Sequence, residues 1–102
     1  MLKNNKLISQ YFNERSVNNI YKILPLYEEK NTTLESYISS LLFELYGLEE
    51  CIDYNLSEFV TLVAVISKLK DESLKENNKY VIKREVFKAI EISKSLSTKV
   101  VK

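Results

Sequence analysis

Histidine and tryptophan are absent from this chain, and glycine, proline, cysteine and methionine occur once each. Each shortage excludes something. Without histidine there is no imidazole to act as general acid–base near neutral pH, and the commonest metal ligand is missing. Every Ser/His/Asp or Cys/His arrangement goes with it. A single cysteine builds neither a thiolate zinc site within one chain nor an internal disulfide, which suits a reducing cytosol. One glycine cannot form a Walker loop or a dinucleotide fingerprint. All-β folds use glycine and proline in their turns, so this scarcity argues for long helices and few tight turns. Only two arginines occur, Arg15 and Arg84, and arginine is the residue suited to bidentate recognition of bases and phosphates. These absences predict a protein that is not an enzyme and that needs no cofactor and no metal.

Long apolar runs are missing too. The longest apolar-rich stretch, FVTLVAVI from Phe59 to Ile66, falls far short of the roughly 20 residues that span a bilayer. The N-terminal MLKNNKLISQYFNE carries lysines but neither an apolar signal core nor a small-residue cleavage site. A cytoplasmic protein with no membrane span is expected.

What the chain does contain is helical patterning. Its 102 residues, 45% hydrophobic and 28% charged, suit one globular domain over 1–102. From Leu2 to Phe12, Leu7, Ile8, Tyr11 and Phe12 form a rough stripe. A second segment starts at Ser16 as N-cap and continues through Val17, Ile20, Tyr21, Ile23, Leu24 and Tyr27. Pro25 lies inside it and crowds the Tyr21 carbonyl, so the helix either kinks or breaks before Leu26. In the third, Thr32 and Glu35 have capping-box spacing, and Leu34, Tyr37, Ile38, Leu41, Leu42 and Leu45 recur as one helical face demands. Gly47 follows where a left-handed C-terminal cap needs a residue without a Cβ.

The fourth segment opens at Asn55 with Glu58 three residues on, and carries Phe59, Leu62, Val63, Ile66 and Leu69. Val60, Ala64 and Val65 widen that stripe, so a buried strand is an alternative. Caps and length favour a central helix that is apolar on most sides. The last segment, Tyr80 to Lys99, shows Ile82, Val86, Ala89, Ile90 and Leu96 on one face. The expected fold class is all-α: an antiparallel bundle of four to five helices in a single domain.

Charge is unevenly distributed although the net is only +1. Residues 1–27 carry four basic and one acidic group, residues 28–76 four against eleven, and residues 77–102 seven against two. Either oppositely charged helices lie side by side, or a basic terminal face docks on a partner. Two groups are candidate contacts for a protein partner. One is acidic: Glu44, Glu49, Glu50 and Asp53, in and beside YGLEECIDYNLSE. Their spacing matches no EF-hand loop, so the stretch reads as a solvated corner between helices rather than a cation site. Cys51, among acidic neighbours, reads as a small buried residue rather than a reactive thiolate. The other group is basic: Lys83, Arg84 and Lys88, with Tyr80 and Phe87 nearby. Such a set also occurs in nucleic-acid binders, but near-neutral total charge and scarce arginine weigh against that partner. Seven tyrosines suit half-buried bundle positions and protein interfaces alike.

Over NIYKILPLYEEKNTTLESYISSLLFELYG, residues 19–47, and VIKREVFKAI, residues 81–90, the chain resembles small uncharacterised proteins encoded by phages and prophages of low-GC Gram-positive bacteria. The shared features are a KILPLYE-type opening, an amphipathic SYISSLLFEL-type helix and a late KREVFK-type helix. No catalytic residues come with the resemblance. It implies an accessory protein of a mobile element that binds and blocks a host protein, as anti-CRISPR proteins and other counter-defence factors do. By architecture alone the chain is also similar to pediocin-like bacteriocin immunity proteins, lysine-rich cytosolic four-helix bundles. That implies an immunity function as the alternative, with a small nucleic-acid-binding regulator as the third.

Overall fold

The computed structural model describes residues 5–51, 56–75 and 77–100. Asp53 and Asn55 lie outside the described residues, as do the side chains of Leu7 and Cys51. Helix α1 (Asn5–Gln10) runs through a π turn (Tyr11–Arg15) into α2 (Ser16–Tyr21) and α3 (Ile23–Glu28). Together these make one arm. Then come α4 (Leu34–Leu48) with a 3-10 turn (Glu49–Cys51) at its end, α5 (Leu56–Glu72) and α6 (Lys79–Val100). No strand occurs among the described residues, so the β-branched FVTLVAVI segment is helical. No described helix is long and apolar enough to cross a membrane.

Cross-helix bonds establish the directions. Ser9 donates to the Ser97 carbonyl, Ser93 to the Phe12 carbonyl, and Lys79 pairs with Glu28, so the N-terminal arm and α6 are antiparallel. Ser95 with Glu58 and Lys68 with Glu85 set α5 antiparallel to α6. Tyr11 with Glu44 and Tyr37 with the Asn19 carbonyl do the same for α4 and the arm. Since α4 also packs on α5, the four arms close into an antiparallel bundle of 43 × 21 × 20 Å.

The stripes read from the sequence fill its interior. Phe12, Ile20, Ile23, Ile38, Leu45, Leu62, Ile66, Leu69, Ile82, Val86 and Leu96 are essentially inaccessible to solvent. Burying each such side chain contributes about 1.5–3 kcal/mol before the entropy of ordering is set against it. Phe12 lies edge-on to Phe59, with ring centres 6.5 Å apart at 79°, a geometry favoured by the aromatic quadrupole.

Several local expectations are corrected. Ser16 is not an N-cap: it is buried in the middle of the arm, and its oxygen lies 2.9 Å from the Ser93 hydroxyl. The helix passes through it because the π turn, closed by the Ser16 N–H on the Tyr11 carbonyl, carries the chain on. Of the two outcomes expected at Pro25, the break before Leu26 does not occur, since α3 runs on through the proline to Glu28. The irregularity falls at Lys22, whose backbone stays helical at φ −63° and ψ −16°. Hydrogen bonds from Lys22 to Asn18 and from Leu26 to Lys22 carry the ladder past the proline.

The Thr32–Glu35 capping box is not formed. Asn31 does that work instead, its Oδ1 accepting both the N–H and the hydroxyl of Thr33, and α4 begins at Leu34. Nor is Gly47 a left-handed cap. It lies inside α4 without a positive φ. The left-handed cap is on α3, where Lys30 has φ 54°. There the Lys30 N–H bonds the Tyr27 carbonyl and the Asn31 N–H bonds the Leu26 carbonyl, both at 3.0 Å, which is the Schellman pattern. Finally, α5 is not apolar-buried on most sides, because Val60 and Ala64 face solvent. Its inward stripe is Phe59, Leu62, Val65, Ile66 and Leu69.

Candidate functional site

Because Ile82, Val86, Ala89 and Ile90 turn inward, a period of 3.6 turns Tyr80, Lys83, Arg84, Phe87 and Lys88 outward. All five are exposed. The structure therefore brings the basic candidates Lys83, Arg84 and Lys88 together on one face of α6, beside the two aromatics. Tyr80 is 76% exposed and Phe87 43%. From α2, Tyr21, 52% exposed, meets Phe87 edge-on with ring centres 6.4 Å apart at 63°.

Arg84 is held at the centre of this face. Its Nε donates to Glu85 Oε2 at 3.2 Å, and its guanidinium carbon lies 5.9 Å from the Tyr80 ring centre. Glu85 is only 3% exposed and is also reached by Lys68 Nζ of α5 at 3.6 Å. A carboxylate taken out of water needs such partners. Lys83 and Lys88 form no ion pair among the described residues.

The acidic candidates are placed differently. Glu49 and Glu50 are exposed on the 3-10 turn after α4, whereas Asp53 lies outside the described residues. Glu44 is half-buried and engaged within the bundle, accepting the Tyr11 hydroxyl and lying 3.5 Å from Arg15. Burial, and then the hydrogen bond to Glu44, push the Tyr11 hydroxyl far above its ordinary value of 10.0. Tyr37 is also raised, by burial first and by the Glu44 charge second. Phe43, 80% exposed, and Tyr46 stand on the outer side of α4. The pairs Arg15–Glu44 and Lys79–Glu28 join the basic ends of the chain to its acidic middle. Exposed pairs of this kind contribute no more than about 1 kcal/mol each.

At the opposite end from the π turn, the α3–α4 and α5–α6 connections enclose a cleft of about 570 Å³, lined by Tyr27, Lys30, Leu34, Glu35 and Leu74 among others. Its walls are bonded to each other. The Tyr27 hydroxyl donates to the Lys75 carbonyl and accepts the Asn78 N–H, both at 2.8 Å. Glu72 accepts from Lys75 and from Asn78, and those two hydrogen bonds, the Lys75 one foremost, lower its carboxyl below the ordinary range. The cleft's Lys75 and Lys79 are thus already paired, with Glu72 and Glu28. No group of three or more metal-ligating side chains occurs among the described residues.

Two residues that support the α6 face, Tyr21 of α2 and the buried Glu85, have no site role in the sequence. The sequence puts Tyr21 on an apolar stripe, yet it sits one position off the Ile20–Ile23 pair that is buried. Glu85 reads along the chain only as an acid within the basic end. Its spacing, three after Ile82 and four before Ala89, places it on the inward stripe, and that signal was available. No family model matches this chain, and neither a curated protein nor a solved structure shows a significant match to it.

Proposed function

We propose that this chain is a non-catalytic binding protein that engages a protein partner through the outer face of α6. The observation that carries this reading is the exposed set on this side of the bundle, Arg84 over Tyr80 and Phe87 edge-on to Tyr21. Tyrosine, phenylalanine and arginine are the residues enriched at interface centres, where they supply most of the binding energy. Lys83 and Lys88 flank them as a polar rim. The resemblance to small phage and prophage proteins supplies the biological setting. The protein acts in the cytosol as a counter-defence factor, in the manner of an anti-CRISPR, by covering a surface of a host protein. Its net charge of +1 argues against the polyanionic mimicry of DNA.

The antiparallel four-arm bundle keeps a second reading in view, a cytosolic bacteriocin immunity protein. The cations of α6 keep a third, a nucleic-acid-binding regulator. One experiment separates them: immobilised wild type and a Tyr80→Ser/Phe87→Ser variant are exposed to lysate of a low-GC Gram-positive bacterium. The expected result is a protein retained by the wild type and lost from the variant. Equal retention by both overturns the α6 face as the contact. Retention of nucleic acid, abolished by nuclease, favours the third reading, and protection of expressing cells against a bacteriocin favours the second.

A further inference from the structure

We infer that Arg84 is a pre-set carboxylate clamp, and that the partner fitted to the α6 face is an acidic protein segment with apolar side chains among its carboxylates. This rests on the binding role proposed above and adds the chemistry of the partner. A guanidinium recognises a carboxylate through two parallel N–H donors, and its cost is the freezing of a long side chain. In this protein the freezing precedes binding. Glu85 takes the Nε at 3.2 Å, the Tyr80 ring lies beneath at 5.9 Å, and Glu85 is itself buried and held by Lys68. Neither terminal amino group of Arg84 has a partner among the described residues. That leaves the two donors a carboxylate needs, on a side chain whose entropy of ordering is already spent.

The surroundings select the same ligand. Lys83 and Lys88, without ion pairs among the described residues, surround Arg84 with positive charge. Tyr80, Phe87 and Tyr21 give apolar area on which leucine or phenylalanine side chains can pack. A nucleic-acid strand is a poorer fit. A protein that follows a strand through about 6–10 phosphate contacts needs a longer run of cations than Lys83, Arg84 and Lys88, and Glu91, three residues after Lys88 and exposed on the same face, interrupts it.

The test uses fluorescence anisotropy of the full chain with a labelled peptide of alternating glutamate and leucine, a glutamine–leucine counterpart, and a labelled oligothymidylate. The Glu/Leu peptide should bind, with affinity that falls as salt is raised, and the Gln/Leu peptide should bind at least tenfold more weakly. Arg84→Ala should weaken the Glu/Leu peptide about tenfold or more, as loss of a charge-assisted pair implies. Arg84→Lys should weaken it nearly as much, because a point charge does not replace the fork. Glu85→Gln tests the positioning role. It should lower affinity in wild type and change nothing further in the Arg84→Ala background.

Equal binding of the two peptides, an unchanged affinity on Arg84→Ala, or tighter binding of oligothymidylate overturns the clamp. Arg84→Ala leaves the buried Glu85 with Lys68, so binding is compared only after far-UV circular dichroism and a urea midpoint show the variant folded, and Arg84→Lys, which keeps a cation beside Glu85, serves as the second variant. If Tyr80→Ser/Phe87→Ser releases the lysate partner while Arg84→Ala retains it, the clamp fails and the binding role stands. If neither releases it, both fail.

Discussion

Alanine in place of Gly47 should stabilise this protein, by an amount that the structure bounds. Gly47 lies within α4 with no positive φ, so an L-residue adopts its backbone without strain. A Cβ at this position meets no atom within 4 Å, so there is neither a clash to subtract nor packing to add. What remains is backbone entropy: glycine in a helix interior is less favourable than alanine by roughly 0.5–1 kcal/mol. The helix continues only through Leu48 before the 3-10 turn, which places the gain toward the lower bound. For a domain of this size that is an upward shift of about 2–8 °C in Tm. Thermal and urea unfolding followed by far-UV circular dichroism measure it, with an unchanged urea slope showing that compactness is unaltered. The result is decided by sign. Were Gly47 the left-handed cap that its place after a helical stripe suggests, alanine would cost about 1 kcal/mol or more. A loss of stability in Gly47→Ala refutes the description of α4.

Lys30→Gly is the companion change. An L-residue in the left-handed region costs roughly 1–2 kcal/mol and glycine's extra chain entropy about 0.5–1 kcal/mol, so Lys30→Gly, at φ 54°, should gain about 0.5–1 kcal/mol in the same urea assay. Ser93→Ala removes the hydroxyl that bonds the Phe12 carbonyl at 2.6 Å and leaves a buried acceptor short of a donor. The expected cost is about 1–3 kcal/mol, and a urea midpoint equal to wild type would count against that serine contact. Tyr11 governs the alkaline limb. Its pKa is raised in the folded chain above the ordinary 10.0, so its contribution is fully present below pH 10 and is lost as pH rises beyond it. Tyr11→Phe should therefore show a shallower fall of stability above pH 10, read from urea midpoints across an alkaline series. Identical slopes for the two proteins would rule this out.

The helical stripes were legible because periodicity is a local property. Leu34, Ile38, Leu41, Leu42 and Leu45 bury one side of α4, as their spacing alone implies, and Ile82, Val86, Ala89 and Leu96 do so in α6. The basic face of α6 was legible for the same reason, since whatever is not on the inward stripe is turned out. The caps were less so. Thr32 with Glu35 and Gly47 have the right residue types, but Asn31 and Lys30 make the turn, because the cap goes to whichever residue the neighbouring connection leaves in position. Likewise the acidic stretch reads as one corner along the chain, while in three dimensions Glu44 is drawn to Tyr11 and Arg15 from another helix.

By itself, then, the amino-acid order determined that this chain is helical, where its apolar sides run, and that it lacks histidine, a second cysteine and a glycine-rich loop. Those properties reside in single residues or in steps of three and four. Only the tertiary structure decided that Tyr21 meets Phe87 and that Lys68 reaches Glu85, whereas Arg84 over Tyr80 is a pair four residues apart within α6. The Tyr21–Phe87 and Lys68–Glu85 contacts join residues far apart in the chain, on different helices. No periodicity within a helix encodes which neighbour will be packed against it, and so the burial of Glu85 beneath Arg84, with Lys68 as its second partner, required the closed bundle.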